Sequence, residues 1–222
     1  MKKKYFYLVT LVMMLTAFLI ACDKEPNEKG NSKNQITMVV ATSGVSLLME
    51  GTGNMTIDWG DGTPPEPFTL TNGSVGAAEY EHNYSSGGGH TIIIKGNVTL
   101  LDCSNHYLST LNVSKNAAIK YLMCSNNYLS SLDISKNTEL TYLRCSSNEL
   151  STLDVSKNTV LEDLNCQNNR LSTNALNTLF GTLNSNPNLR KEIWIVGNPG
   201  ASDCDRSIAE KKGWIVNNDY WK

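Results

Sequence analysis

Cys103, Cys124, Cys145 and Cys166 stand 21 residues apart, and each follows a leucine two places earlier, Leu101, Leu122, Leu143 and Leu164. A fixed period of this length restricts the chain more than its composition does, because it means that one supersecondary unit is stacked on copies of itself. The text around the cysteines barely changes: Leu122-Met123-Cys124-Ser125-Asn126-Asn127-Tyr128-Leu129 is followed by Leu143-Arg144-Cys145-Ser146-Ser147-Asn148-Glu149-Leu150. Aligned on this period, Val98, Ile119, Leu140 and Leu161 form one apolar column and Leu108, Leu129, Leu150 and Leu171 a second. Leu111, Leu132 and Leu153 form a third, and Val113, Ile134, Val155 and Leu176 a fourth. No single turn can bury such a set, so stacking is what makes it stable.

The second half of each turn, as in Leu132-Asp133-Ile134-Ser135-Lys136-Asn137-Thr138, repeats the cadence of the first. This predicts two short strands per turn and a sheet on each of two faces. Asn127, Asn148 and Asn169 form one asparagine column, headed by His106, and Asn116, Asn137 and Asn158 form another. Side-chain amides in such columns satisfy turn backbone groups that stacking removes from water.

The Leu-x-Cys-x-x-Asn-x-Leu pattern over residues 98–181 resembles the internalin class of leucine-rich repeats, in its 21-residue cysteine-ladder variety. The resemblance implies that strand residues flanking the leucine-to-cysteine pair face outward on a concave sheet. That places Tyr121, Met123 and Ser125 beside Tyr142, Arg144 and Ser146, then Asp163, Asn165 and Gln167. Tyr121, Met123, Tyr142, Arg144, Asp163 and Asn165 are therefore the expected ligand-binding set, since tyrosine and arginine make good contact anchors. Tyr107 and Tyr128 add an aromatic pair at the loop edge. The four ladder cysteines include no Cys-x-x-Cys pair, and four equivalent thiols cannot each hold a unique catalytic or metal role, so they read as buried small hydrophobes.

After Cys166 the cadence breaks. Ser172 to Leu183 has a capping residue and leucines at helical spacing. Glu192 to Gly200 returns as a degenerate rung in which Ile193, Ile195 and Asn198 match Leu164, Cys166 and Asn169. A second helix is expected from Asp203 to Lys212, ended by Gly213, with Trp214-Ile215-Val216 closing the chain. Residues 182–222 thus read as a helix-strand-helix cap over the last open sheet edge.

Ahead of the repeats, residues 36–97 hold short β-rich runs: Ile36–Val40, Asn54–Trp59, Ala78–His82 and Thr91–Lys95. The turn Asp58-Trp59-Gly60-Asp61-Gly62-Thr63 followed by His82-Asn83-Tyr84 resembles a short PKD-type β-sandwich. Asp58, Asp61 and His82 suggest a metal or acid–base site. A calcium cage needs several converging oxygens that this segment lacks, so the aspartates are expected to hold the turn and no metal is expected. The fold class is mainly β, a short sandwich followed by a β-solenoid.

Residues 1–21 combine Lys2-Lys3-Lys4, an apolar run and Leu19-Ile20-Ala21 directly before Cys22, which resembles a bacterial lipoprotein signal. The resemblance implies cleavage before Cys22 and acylation there, with a membrane contact made through the lipid. Loss of residues 1–21 removes three lysines and no acid, moving the net charge from −2 to −5. No basic field remains for nucleic acid. Residues 22–35 are polar and read as a disordered tether. Asp23-Lys24-Glu25 resembles a surface-export signal, while an aspartate after the lipidated cysteine serves elsewhere as inner-membrane retention. The expected address is the cell envelope, at the outer membrane and its surface.

With three histidines and no HExxH, GxSxG or phosphate loop, neither an enzyme nor a cofactor is expected. The expected role is non-catalytic binding of a protein or glycan through the repeats. A structural spacer or scaffold subunit is the alternative, and an accessory module of a hydrolase a remote one.

Overall fold

The computed structural model describes residues 33–70, 76–85 and 88–219; the leader, Cys22 and most of the tether lie outside the described residues. Residues 33–222 form one compact unit, and one apolar core runs through it from Ile36 to Trp214. The elements are β1 (Gln35–Val40), β2 (Gly44–Asp58), β3 (Glu66–Leu70), β4 (Ala78–Asn83), β5 (His90–Asp102), β6 (Thr110–Lys115), β7 (Tyr121–Met123), β8 (Tyr142–Arg144), β9 (Asp163–Asn165), α1 (Thr173–Thr182), β10 (Lys191–Trp194), α2 (Ser207–Glu210) and β11 (Trp214–Asn217). The protein is mainly β, and its strands join in one mixed sheet.

Alternation writes the first strands. In β1 the inward positions are Ile36, Met38 and Val40, and in the first half of β2 they are Val45, Leu47 and Met49. β2 starts at Gly44, well before the expected Asn54, because Gly51 and Gly53 mark bends within one long strand and do not end it. Its pairing with β5 shifts register between Glu50 and Gly51 and again between Thr52 and Thr56. β3 was not expected, since Pro67 argues against a strand. It pairs only with β2, and on such an edge a proline costs no ladder bond.

β5 joins the two halves of the unit, and the expected boundary between residues 97 and 98 falls inside it. Its first half pairs antiparallel with β1, from His90 against Val40 to Lys95 against Gln35. Its last three residues, Leu100 to Asp102, pair in parallel with Tyr121 to Met123 as the first rung of the stack. The other side of that rung is covered by β2, where Leu48, Met49 and Glu50 face Asp102, Leu101 and Leu100. β1 covers β6 in the same way, with Val39 against Thr110. β1 and β2 thus pair both strands of the first turn, which would otherwise be open edges.

Beyond it, β7, β8, β9, β10 and β11 continue in parallel. The asparagine column locks the rungs. Asn148 Oδ1 accepts from Leu129 N at 3.0 Å, and its Nδ2 donates to the carbonyls of Cys124 (2.9 Å) and Cys145 (3.2 Å). Asn127, Asn169 and Asn198 make equivalent bonds. His106 heads the column differently: its amide donates to Asn127 Oδ1 at 3.1 Å and its Nε2 to the Ser46 carbonyl at 2.6 Å, tying the first turn to β2.

The expected second strand of each turn is found only in β6. Residues 131–136 and 152–157 keep Leu132, Ile134, Leu153 and Val155 buried but form no ladder. The carbonyls are used locally instead: Ile134 O accepts from Asn137 N at 3.0 Å and from Asn158 Nδ2 at 3.1 Å. Asp133 and Asp154 take the amides of Ser135 and Ser156 at 2.9 and 2.8 Å. Side chains thus replace one of the two expected sheets.

In the cap, Ser172 caps α1 by accepting from Ala175 N. The second helix is shorter than expected, Ser207–Glu210, because Arg206 makes no side-chain cap and Gly213 (φ 81°) closes the turn behind it. β10 and β11 extend the sheet by two strands, so the cap supplies its last strands itself. Lys191, 2 % exposed, donates Nζ to the carbonyls of Asn186 and Lys212 at 2.7 Å each, pinning β10 to the turn before β11.

Candidate functional site

Side chains alternate along each strand, so leucines and cysteines point into the stack and their neighbours point out. Parallel register lines those neighbours up into columns. One reads Leu100, Tyr121, Tyr142, Asp163, Glu192, Ile215, and the next reads Asp102, Met123, Arg144, Asn165, Trp194, Asn217.

The expected set therefore lies together on one outer face. Tyr121 is 45 % exposed, and its ring centroid is 6.2 Å from that of Tyr142. The Arg144 guanidinium carbon sits 4.8 Å from the Tyr142 ring centroid, a cation–π contact that holds the long side chain along the face. Burial raises the Tyr142 phenol, Arg144 pulling it back. Met123 is half-buried between Asp102 and Arg144.

Asp163 is half-buried, and its Oδ1 is buried with no hydrogen-bond partner. Burial pushes its carboxyl up to about 6, with Arg144 drawing it down and Glu192 pushing it further up. Asn165 is on the face but only 5 % exposed, its Oδ1 accepting from Gln167 N at 3.1 Å. Of the expected six it offers the least to a partner. Glu192 and Trp194 join the face without having been anticipated. The match of Ile193, Ile195 and Asn198 to the repeat leucine, cysteine and asparagine carried the signal, since it aligns Glu192 with Asp163 and Trp194 with Asn165.

Tyr107 and Tyr128 form their own pair at the loop edge, 51 % and 56 % exposed with centroids 5.7 Å apart. Tyr107 is in the left-handed region at φ 53°, and so are Asn105, Asn126, Ser147 and Asn168, which share one turn position at the 21-residue period. On the second side of the turns, beyond β6, Leu132, Asp133, Ser135, Leu153, Asp154 and Lys157 line an open groove of about 310 Å³.

Cys103, Cys124, Cys145 and Cys166 are fully buried and free. Cys103 Sγ donates to Met123 O at 3.5 Å and Cys166 Sγ to Trp194 O at 3.4 Å, each reaching the next strand. Burial raises all four thiols, Cys145 to about 12, so no thiolate nucleophile exists there at neutral pH. Cys204 is free and partly exposed.

Asp58, Asp61 and His82 build a turn. Asp58 Oδ1 accepts from Gly60 N at 3.0 Å; Asp61 Oδ1 accepts from Thr63 N at 3.0 Å and Thr63 Oγ1 at 2.6 Å. Asp61 Oδ2 lies 2.8 Å from His82 Nε2, whose ring stacks on buried Trp59 at 4.9 Å. Tyr84 Oη donates to Trp59 O at 2.9 Å, and its ring stacks on His90 at 3.8 Å. The Thr63 bonds, with His82 after them, hold the Asp61 carboxyl well below the usual range. Both Asp61 oxygens and Asp58 Oδ1 thus have a turn partner or a histidine. Among the described residues no group of three or more His, Cys, Asp or Glu is placed to hold a metal.

No family model matches the chain, and no curated protein matches it. A solved structure similar to part of it is titled "Functional domain of InlJ from Listeria monocytogenes includes a cysteine ladder". The two are 28 % identical over a match covering 53 % of this chain and 24 % of that one, with a TM-score of 0.42. The chain therefore spans about a quarter of that protein's length.

Proposed function

We propose that this chain is a non-catalytic envelope lipoprotein that binds a protein ligand on the outer face of its parallel sheet. One observation carries the reading: register sets Tyr121, Tyr142 and Arg144 side by side, with Tyr121 exposed and Arg144 stacked on Tyr142. Aromatic and arginine side chains, pre-ordered on rigid strands, are the groups that dominate binding energies when buried by a partner. The opposite side offers Asp133, Asp154, Ser135 and Ser156, small groups already engaged in their own turns. They make poor anchors.

Residues 33–222 hold the whole described core and suit a paired screen against an extracellular protein library and a glycan array. A protein ligand should weaken at least about tenfold with Tyr142→Ala or Arg144→Ala and stay nearly unchanged with Asp133→Ala. A glycan as the only ligand sensitive to those substitutions overturns the protein-ligand reading. Binding that survives both substitutions moves the site elsewhere, and absence of any ligand favours a spacer.

The anchor half of the reading is supported by Leu19-Ile20-Ala21-Cys22. Labelled fatty acid should enter the wild-type chain and not Cys22→Ala, with the wild type fractionating with outer membrane and accessible to external protease. Continued labelling of Cys22→Ala sinks the lipid assignment.

A further inference from the structure

We propose that the acidic end of this face, Asp163 with Glu192 beside it, is the seat for a basic side chain, lysine or arginine, of the protein partner. The inference rests on reading this sheet as the binding face. Parallel pairing sets Asp163 directly beside Glu192 on one side and Tyr142 on the other. Carboxylates on adjacent strands are about 5 Å apart at their backbones, and like charges so placed repel.

The charged groups around Asp163 leave its demand unmet. On β8, Arg144 attracts Asp163, but its guanidinium lies over the Tyr142 ring. On β10, Glu192 is paired with Arg190 at 2.8 Å, while Lys191 points inward to two carbonyls. On the strand's own approach stands Glu162, exposed, and farther along the sheet is Asp102, a third acid. Asp163 Oδ1 remains buried and bonded to nothing. Gln167, on the same face of the same turn and 5 % exposed, also has an Nε2 without a partner.

A buried carboxylate oxygen lacking a donor carries a desolvation cost that a charged N–H donor recovers. An ammonium or guanidinium brought between Asp163 and Glu192 offsets that cost by meeting the half-buried carboxylate from its open side, and it separates the two acids. Its aliphatic stem meets the Tyr142 ring. Because the Asp163 carboxyl ionises around 6, its contribution to the seat is charged above that pH and largely neutral below it. Occupation is therefore linked to pH.

The probe is acetyl-hexalysine amide, with acetyl-hexaglutamate amide as the charge-reversed control, titrated into residues 33–222 at low ionic strength. Hexalysine should bind about tenfold more tightly at about pH 7.5 than at about pH 5, the ratio of ionised Asp163 at the two values. Asp163→Asn should remove most of the pH 7.5 affinity and flatten the dependence. Asp133→Asn deletes the same charge from the opposite side and should leave both intact. Equal affinity at the two pH values, or equal weakening by Asp133→Asn, overturns the seat.

The two readings fail separately. A protein ligand lost with Tyr142→Ala but indifferent to Asp163→Asn keeps the face and overturns the basic seat. Hexalysine behaving as expected, with every protein ligand indifferent to Tyr142→Ala, keeps the seat and sinks the wider reading.

Discussion

Replacing Asn148 by alanine should unfold the protein several degrees earlier, and the structure says which group is responsible. Asn148 is 7 % exposed and serves four backbone groups: it accepts from Leu129 N and donates to the carbonyls of Cys124, Cys145 and Ser146. The three carbonyls keep other partners. Cys124 O retains Asn127 Nδ2, Cys145 O retains Asn169 Nδ2, and Ser146 O retains Asn126 N. Leu129 N–H has no second acceptor and is left buried and unpaired. An orphaned buried donor costs about 1–3 kcal/mol, and the lost donations add roughly another 1 kcal/mol net. The total of about 2–4 kcal/mol corresponds to a fall in Tm of roughly 5–15 °C for a unit of this size.

Asn148→Asp sharpens the test, because the side chain keeps its shape and the Oδ1 acceptor. Its second oxygen then faces the carbonyls of Cys124, Cys145 and Ser146 where a donor had been. Burial among acceptors raises a carboxyl's folded-state pKa, so the penalty is small below about pH 4 and grows as pH rises through the folded value. Thermal melts of residues 33–222 at acid and neutral pH, with Thr152→Ala as a surface control, measure both variants. If Asn148→Ala matches Thr152→Ala, or Asn148→Asp is the milder change at neutral pH, the column is not what satisfies the turns.

Thiol labelling of native residues 33–222 should reach Cys204 alone, and denaturation should release all five cysteines; fast native labelling of a ladder cysteine contradicts their burial. Cys145→Ser should cost about 1–3 kcal/mol in urea denaturation, since it places a hydroxyl in an apolar column, and an unchanged midpoint refutes this. Gly60, at φ 79°, has the Thr91 carbonyl where a side chain would begin, whereas Gly62 at φ 89° has open space. Gly60→Ala should therefore lose clearly more than the roughly 1–2 kcal/mol of left-handed strain expected for Gly62→Ala, and equal losses would show that the turn yields. For Asp163, whose folded value is raised, stability is penalised as pH climbs from about 4 through about 6. Asp163→Asn should then raise stability at neutral pH by roughly 1 kcal/mol, discounted because the group is half-exposed, and change nothing near pH 4. For Asp61 the shift is downward, so its contribution is present above about pH 4 and lost in stronger acid; Asp61→Asn should flatten that acid loss.

What could be read before the structure was whatever the period repeats. Leu122, Leu143 and Leu164, the four cysteines and the asparagines recur because stacking asks the same of every turn, and they stand where the cadence put them. The second sheet was over-read. The same apolar cadence at Leu132 and Ile134 or Leu153 and Val155 fits an extended segment with or without a ladder, and Asn137, Asn158, Asp133 and Asp154 decided it by taking the backbone groups themselves. β3 stayed hidden because Pro67 is acceptable only on an edge, and edges are a property of topology. The use of β5 as both partner of β1 and first rung was also invisible, since the Lys95-Gly96-Asn97 break between its two apolar runs reads as the end of one strand and not as the place where one strand changes partner from β1 to β7.

The same distinction between repeated and unrepeated positions separates structure from function on the surface. On the second side of the turns, beyond β6, the outward residues recur as Asp133 and Asp154, Ser135 and Ser156, and each aspartate closes the same turn. Their sameness is accounted for by local hydrogen bonding. The outer face of the parallel sheet has no such local task, because its backbone is already paired on both sides by neighbouring strands. There the residues change from turn to turn, from Tyr121 and Tyr142 to Asp163 and Glu192 in one column, and from Met123 and Arg144 to Asn165 and Trp194 in the next. A face required only to stay solvated would not place an orphaned carboxylate oxygen beside a second acid, or an exposed tyrosine next to a ring already carrying a guanidinium. Asp163 Oδ1 and Gln167 Nε2 are unpartnered at positions the stacking repeat leaves free to vary, unlike the unpartnered Oδ1 atoms of Asn116, Asn137 and Asn158, which recur within a repeated column, and that difference is what makes this face the place to look for the partner.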